Sequence, residues 1–167
     1  MSKNERSKYN VNLKNTEKRT CDGIVFDSVQ EMKYYRDWLC PKVESGEVVK
    51  YELQKKYELQ PKYRRNGMLV RPIDYVADFV IYYKDGSFQV IDIKGCPDSL
   101  ALTKRKMFWY VYPDIDYRWI TYSKTYGEES NGFWMEYDVL KKMRATAKKL
   151  KKKELEQKEK ENGEESK

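Results

Sequence analysis

Residues 75–95, YVADFVIYYKDGSFQVIDIKG, decide how this chain is read. They form two runs of β-branched and aromatic residues separated by Lys84-Asp85-Gly86, the composition of a strand hairpin. Both faces of the runs are apolar. Val80, Tyr82 and Val90 fall on one side and Phe79, Ile81 and Ile91 on the other, which calls for a central position covered from both sides. Yet Asp78, Asp92 and Lys94 lie in the same runs, where an ionised group is costly to bury without a partner.

The turn decides whether these charges meet. A two-residue loop at Asp85-Gly86 pairs Lys84 with Ser87 and sends Asp78 and Asp92 to opposite faces. A three-residue loop with Gly86 left-handed pairs Tyr83 with Ser87 instead. Asp78 then lies across from Asp92 with Cβ atoms about 5 Å apart, and Lys94 follows on the same face. Glycine in the third loop position favours the second register, which is the one expected here.

Working outward, helices are expected over 28–39, stopped by Pro41, over 101–112, stopped by Pro113, and from about 136 onward. Short strands are expected at 24–26, 48–54, 57–60 and 116–123, with Trp119 and Ile120 on opposite faces. RRNG (64–67) reads as a basic turn. The order suggests an α/β or α+β domain around one mixed sheet flanked by helices. Four segments follow: a basic arm over 1–20, the folded domain over 21–135, a charged helix over 136–160 and a disordered acidic tail over 161–167.

The chain has 167 residues, 37% of them charged, with a net charge of +7, so a polyanionic partner is expected. Fifteen tyrosines and four tryptophans argue for a folded domain. No run is apolar enough for a membrane span, and the N-terminus lacks a signal core, so an intracellular protein is expected. Cys21, Cys40 and Cys96 are odd in number and far apart, and read as reduced thiols. There is no histidine. That removes histidine-based acid–base catalysis, Cys/His zinc modules and Ser–His triads, and leaves carboxylates, Lys, Tyr or Ser helped by a metal.

Two facing carboxylates repel each other unless a cation lies between them. Lys94 offsets part of that repulsion and a divalent ion would offset the rest. Asp78, Asp92, the Ile93 carbonyl and waters make an oxygen-rich Mg²⁺ site, with Mn²⁺ as a substitute and no organic cofactor. A bound metal lowers the pKa of its water and neutralises charge on phosphate, while Lys94 orients the nucleophile or contacts phosphate.

The pattern Asp78–x(13)–Asp92–x–Lys94 resembles the PD-(D/E)XK nuclease superfamily. FDSVQE (26–31) places Glu31 on an upstream helix, where that superfamily commonly keeps another acid; Ser28-x-x-Glu31 is also a capping box, which explains Glu31 without a site. DGIVFDS (22–28), YELQPKY (57–63), RPIDYVADF (71–79), IDIKG (91–95) and TKRKMFWYVYPDI (103–115) resemble a family of small phage-encoded proteins similar to Holliday-junction resolvases and the TnsA-type transposase endonuclease. The resemblance spans about residues 20–122. It implies a restriction-endonuclease-like core and a metal-dependent DNA endonuclease in the bacterial cytoplasm, acting on recombination or branched DNA, with Glu31, Asp78, Asp92 and Lys94 as site residues. Symmetric binding of a branched substrate would require a homodimer. Two departures stand out: Ala77 where a proline often precedes the first acid, and Asp92 where Glu is common.

In that superfamily the region after the lysine strand approaches the substrate backbone, which assigns Lys104, Arg105 and Lys106 to DNA. Lys62, Arg64, Arg65 and Arg71 form a second basic cluster, and Gln60 lies in a strand able to flank the site. Residues 141–153 hold eight Lys/Arg and no acid, an electrostatic arm unless the glutamates beyond pair with it. The competing function is a non-catalytic module that keeps a nuclease-like fold for DNA binding or for blocking a host protein.

Overall fold

The computed structural model describes residues 16–164, with side chains as far as residue 157. A 3-10 turn at Glu17–Arg19 leads into a small hairpin of β1 (Thr20–Cys21) and β2 (Ile24–Val25). The buried Arg19 guanidinium donates to the carbonyl of Phe26. Residues 16–20, expected in the basic arm, are therefore part of the fold, and residues 1–15 of that arm lie outside the described residues.

Ser28 caps α1 (Val29–Tyr34) by accepting the Glu31 N–H at 3.1 Å. The expected stop at Pro41 does not occur. The helix widens into a π turn at Tyr35–Leu39, where the Cys40 N–H reaches the Tyr35 carbonyl, and continues as α2 (Cys40–Glu44) with Pro41 in its first turn. The widened turn shifts the carbonyl that the proline ring would otherwise strike. Next, β3 (Val48–Gln60) runs unbroken where two short strands were expected. The basic turn belongs to a hairpin of its own, β4 (Tyr63–Arg65) and β5 (Met68–Val70), with Asn66 and Gly67 both left-handed (φ 50° and 78°).

The chain then forms β6 (Ile73–Tyr83), β7 (Phe88–Ile93), α3 (Ser99–Val111), β8 (Tyr117–Tyr122), β9 (Trp134–Glu136) and α4 (Tyr137–Glu164). The fold is mixed α+β around a five-stranded sheet ordered β3-β6-β7-β8-β9. Only β7 and β8 are parallel, joined by the α3 crossover. α4 reaches Glu164, four residues into the expected tail; 165–167 lie outside the described residues.

The 75–95 stretch adopts the three-residue loop. Tyr83 N–H donates to the Ser87 carbonyl at 2.9 Å, and Gly86 has φ 85°. The pairing Phe79↔Ile91, Val80↔Val90, Ile81↔Gln89 follows. Phe79, Ile81 and Ile91 pack beneath α1 with Met32, Tyr34 and Tyr35, while Val80 and Val90 pack against Phe108 of α3. Both faces are covered, as the apolar pattern requires. Trp119 and Ile120 lie on opposite sides, on the α3 and α1 clusters respectively. The three cysteines are free thiols, Cys21 and Cys40 half-buried and Cys96 exposed. Among the described residues no helix is long and apolar enough to cross a membrane.

Candidate active site

Along β6 the side-chain alternation reverses once. Phe79 and Ile81 lie on the α1 face, but Tyr75 and Ala77, of the same parity, lie on the α3 face. The paired strand does the same: Tyr51 and Leu53 pack on the α1 face, Tyr57 and Leu59 on the α3 face. The two reversals meet. Gln54 is left-handed (φ 51°), and the pairs Leu53↔Phe79 and Lys55↔Ala77 put it opposite Asp78. A non-glycine residue in that conformation is a local strain, of the kind that clusters at functional sites.

At the same level β6 and β7 part. Their ladder ends at Phe79↔Ile91, one residue short of Asp78 and Asp92. The next amide of β7 that faces β6, that of Ile93, donates to Asp78 Oδ2 at 2.7 Å instead of to a main-chain carbonyl. Asp78 thus stands at the fork, between the two sheet faces. On the α3 face Asp92, only 1% exposed, accepts the Lys94 ammonium and the Tyr75 hydroxyl on Oδ2. On the α1 face Glu31 is buried, taking the Ser28 hydroxyl at 2.7 Å and the Asp27 N–H at 3.1 Å.

These groups line one cleft of about 290 Å³ together with Asp27, Gln54, Asp74, Asp98 and Lys104. Among the described residues six carboxylates and two lysines line it, in a protein whose overall charge is +7. The imbalance registers in the ionisation. Burial pushes Glu31 up to about 7, with the Asp27 and Asp92 charges adding to it and the Ser28 bond opposing. Burial, then the charges of Asp92 and Glu31, raise Asp78 well above the usual carboxylate range despite Lys94 and the Ile93 amide. Among the described residues the cleft carries more negative than positive groups.

Among the described residues no group of three or more Cys, Asp or Glu side chains could hold a metal ion by itself. The donors present suit a different arrangement. Mg²⁺ keeps several waters and needs only one or two carboxylates plus substrate phosphate; Asp78 and Asp92 would be those carboxylates. The fit therefore rests on two carboxylates close enough for the charge of Asp92 to raise Asp78 despite Lys94.

A family model described as a protein of unknown function, DUF1064, matches residues 6–128. The chain belongs to the DUF1064 family. No curated protein and no solved structure matches it. The DUF1064 match includes the whole cleft and ends before α4.

Of the DUF1064 residues singled out in the sequence, Glu31, Asp78, Asp92, Lys94 and Lys104 come together in the cleft. Ile93 is not among the residues lining it; its side chain belongs to the α1-side core and its amide serves Asp78. The three successive cations of α3 diverge, because helical neighbours point about 100° apart. Lys104 donates to the Asp74 carbonyl at 2.7 Å at the cleft wall. Arg105, expected on DNA, is buried instead. Its guanidinium stacks 4.3 Å from both Trp109 and Trp119 and pairs with Asp138 of α4, which leaves no face for phosphate. Lys106 and Gln60 line a separate apolar groove. Lys62, Arg64, Arg65 and Arg71 are exposed around the β4–β5 hairpin, outside the cleft.

Asp27, Gln54, Asp74, Tyr75 and Asp98 were missed. Asp74 and Tyr75 are neighbours on one strand, which alternation sends to opposite faces, so no strand periodicity marks both as lining one cleft.

Proposed function

We propose that this DUF1064 protein is a divalent-cation-dependent endodeoxyribonuclease of the PD-(D/E)XK kind, acting on branched or recombination-type DNA. One observation carries the reading: Asp78, Asp92 and Lys94 meet where β6 and β7 part, in a cleft where, among the described residues, carboxylates outnumber lysines six to two. DNA phosphate could not approach such a cleft unaided. A bound Mg²⁺ would supply the missing charge, activate a water and stabilise the developing phosphorane charge.

The protein's own groups divide the remaining work. Asp78 and Asp92 provide the oxygens that hold the ion, and Tyr75 and Lys94 fix the orientation of Asp92. Lys94, at the cleft wall, is placed to orient the attacking water or contact phosphate. Glu31, with its carboxyl raised to about 7, is suited to taking or giving a proton near neutral pH. Lys104, also in the cleft lining, offsets part of the negative charge. The exposed cations of the β4–β5 hairpin and of α4 offer sequence-independent backbone contacts. A symmetric branched substrate implies two copies of the chain.

The test is cleavage of supercoiled, linear, single-stranded and four-way-junction DNA with Mg²⁺, Mn²⁺ or EDTA. Metal-dependent cuts lost in Asp92→Ala and Lys94→Ala, with DNA binding kept, support the proposal. A second reading, a non-catalytic DNA-binding module, is favoured by the contacts that already occupy both oxygens of Asp78 and one of Asp92. Binding without cutting under any metal would establish it.

A further inference from the structure

The α3-side core contains a chain of polar aromatic atoms that packing alone does not require. The Trp119 indole N–H donates to the Tyr117 hydroxyl, Tyr117 donates to the Tyr75 hydroxyl, and Tyr75 donates to Asp92 Oδ2. All four residues are buried. The two tyrosine rings pack against Phe108, with centroids 4.4 Å away for Tyr117 and 5.6 Å for Tyr75, so phenylalanines would fill the same space. A buried hydroxyl is costly unless bonded, and each of these is bonded to the next.

The direction of the chain is dictated at both ends. A carboxylate oxygen accepts, so Tyr75 must spend its hydrogen on Asp92. The Tyr75 oxygen is then left to accept from Tyr117, and the Tyr117 oxygen to accept in turn. An indole nitrogen only donates, so Trp119 closes the series with no alternative arrangement. Trp119 is itself clamped. The Arg105 guanidinium lies 4.3 Å over its ring, and Arg105 is held by Asp138 on α4. On Asp92 the same Oδ2 also takes Lys94, which leaves Oδ1 to serve the cleft.

We propose that Tyr75, Tyr117 and Trp119 are positioning residues: a one-way hydrogen-bond relay that fixes the carboxylate of Asp92 with Oδ1 presented for a divalent cation. The inference rests on the cation-binding reading of the cleft. The relay commits Oδ2 to the protein, so Asp92 binds through one oxygen and the ion stays at the fork beside Asp78. Partners of this kind, one bond removed from a metal, typically alter metal affinity 10- to 100-fold.

The test uses Mn²⁺ titrations of the full-length protein by calorimetry, together with the ¹H–¹⁵N indole resonance of Trp119, assigned by its loss in Trp119→Phe. Tyr75→Phe should weaken Mn²⁺ binding about tenfold or more with unchanged stoichiometry. Tyr117→Phe, in which Tyr75 can still donate to Asp92, should weaken it less. Asp92→Asn should shift the Trp119 indole resonance across the three intervening bonds. Wild-type Mn²⁺ affinity in Tyr75→Phe, or an indole signal unmoved by Asp92→Asn, overturns the relay while leaving the nuclease reading intact. A wild-type protein that binds no Mn²⁺ overturns the cation site itself, and the role assigned to the relay with it.

Discussion

The carboxylate of Asp78 takes the backbone amide of Ile93 at 2.7 Å, standing in for a main-chain acceptor where β6 and β7 separate. One side chain thus ends a sheet ladder and opens the cleft. The two roles separate by substitution. Asp78→Asn keeps an oxygen for the amide and removes the charge; it should fold, abolish metal-dependent cleavage and unfold at the same or higher temperature at pH 8. Asp78→Ala leaves a buried N–H without a partner and should be less stable than the Asn variant by about 1–3 kcal/mol. Equal urea midpoints for the two variants would rule out the ladder role.

Stability should depend on pH in an unusual direction. Glu31 rises from 4.5 to about 7 on folding, so the folded state holds a proton that the unfolded chain releases. Between those values folding takes up protons, and the contribution of this group falls as pH rises, by about 3 kcal/mol in all. Asp78, raised by the same causes, acts in the same sense. Thermal unfolding should show a higher midpoint at pH 5 than at pH 8, and Glu31→Gln should reduce the difference. Mg²⁺ should raise the midpoint at pH 8 and much less at pH 5, where protons already neutralise the acids. A midpoint that climbs steadily from pH 5 to 8 in wild-type protein contradicts this.

Gln54 holds a left-handed backbone opposite Asp78, with its amide 3.4 Å from Asp78 Oδ1. Glycine adopts that conformation without strain. Gln54→Gly should therefore keep or raise stability, by up to about 1 kcal/mol, while cleavage falls. Gln54→Val should be clearly less stable, since a β-branched residue is a poor fit to positive φ. Chemical denaturation of both variants checks the pair; a destabilised glycine variant would remove the strain argument.

The cations should sort by exposure rather than by sequence neighbourhood. Arg105→Gln loses the stack on Trp119 and the pair with Asp138, so it should lower the unfolding temperature without changing the salt dependence of DNA binding. Arg64→Gln and Arg65→Gln, both exposed, should do the reverse, each reducing the slope of log affinity against log salt by about 1 if it meets a phosphate. Filter binding across a salt series reads both. The same assay on a chain with Lys148, Lys149, Lys151, Lys152 and Lys153 changed to Gln should show a flatter slope with cleavage retained.

The mixed sheet, its two covered faces and the hairpin register were legible in 75–95 because apolar alternation and a third-position glycine act locally. Pairing Tyr83 with Ser87 follows from the loop alone, but the ladder stops at Phe79 and Ile91, so how Asp78 and Asp92 stand beyond it was not legible there. Helix ends were less legible: Pro41 reads as a stop, yet the π turn before it depends on how Tyr35 and Leu39 pack beneath the sheet. Arg105 reads like Lys104 and Lys106, since charge alone does not say which of three helical neighbours faces two tryptophans.

By itself, then, the sequence determined which chemistry is open to this protein: no histidine, two aspartates and a lysine on one hairpin, and a strongly cationic surface. Tertiary structure decided how that chemistry is arranged. The reversal of alternation at Asp78 and Gln54 arises between paired strands, and the relay from Trp119 to Asp92 joins β6, β7 and β8. Such contacts between residues far apart in the chain exist only once the sheet has assembled, so no local pattern could announce them.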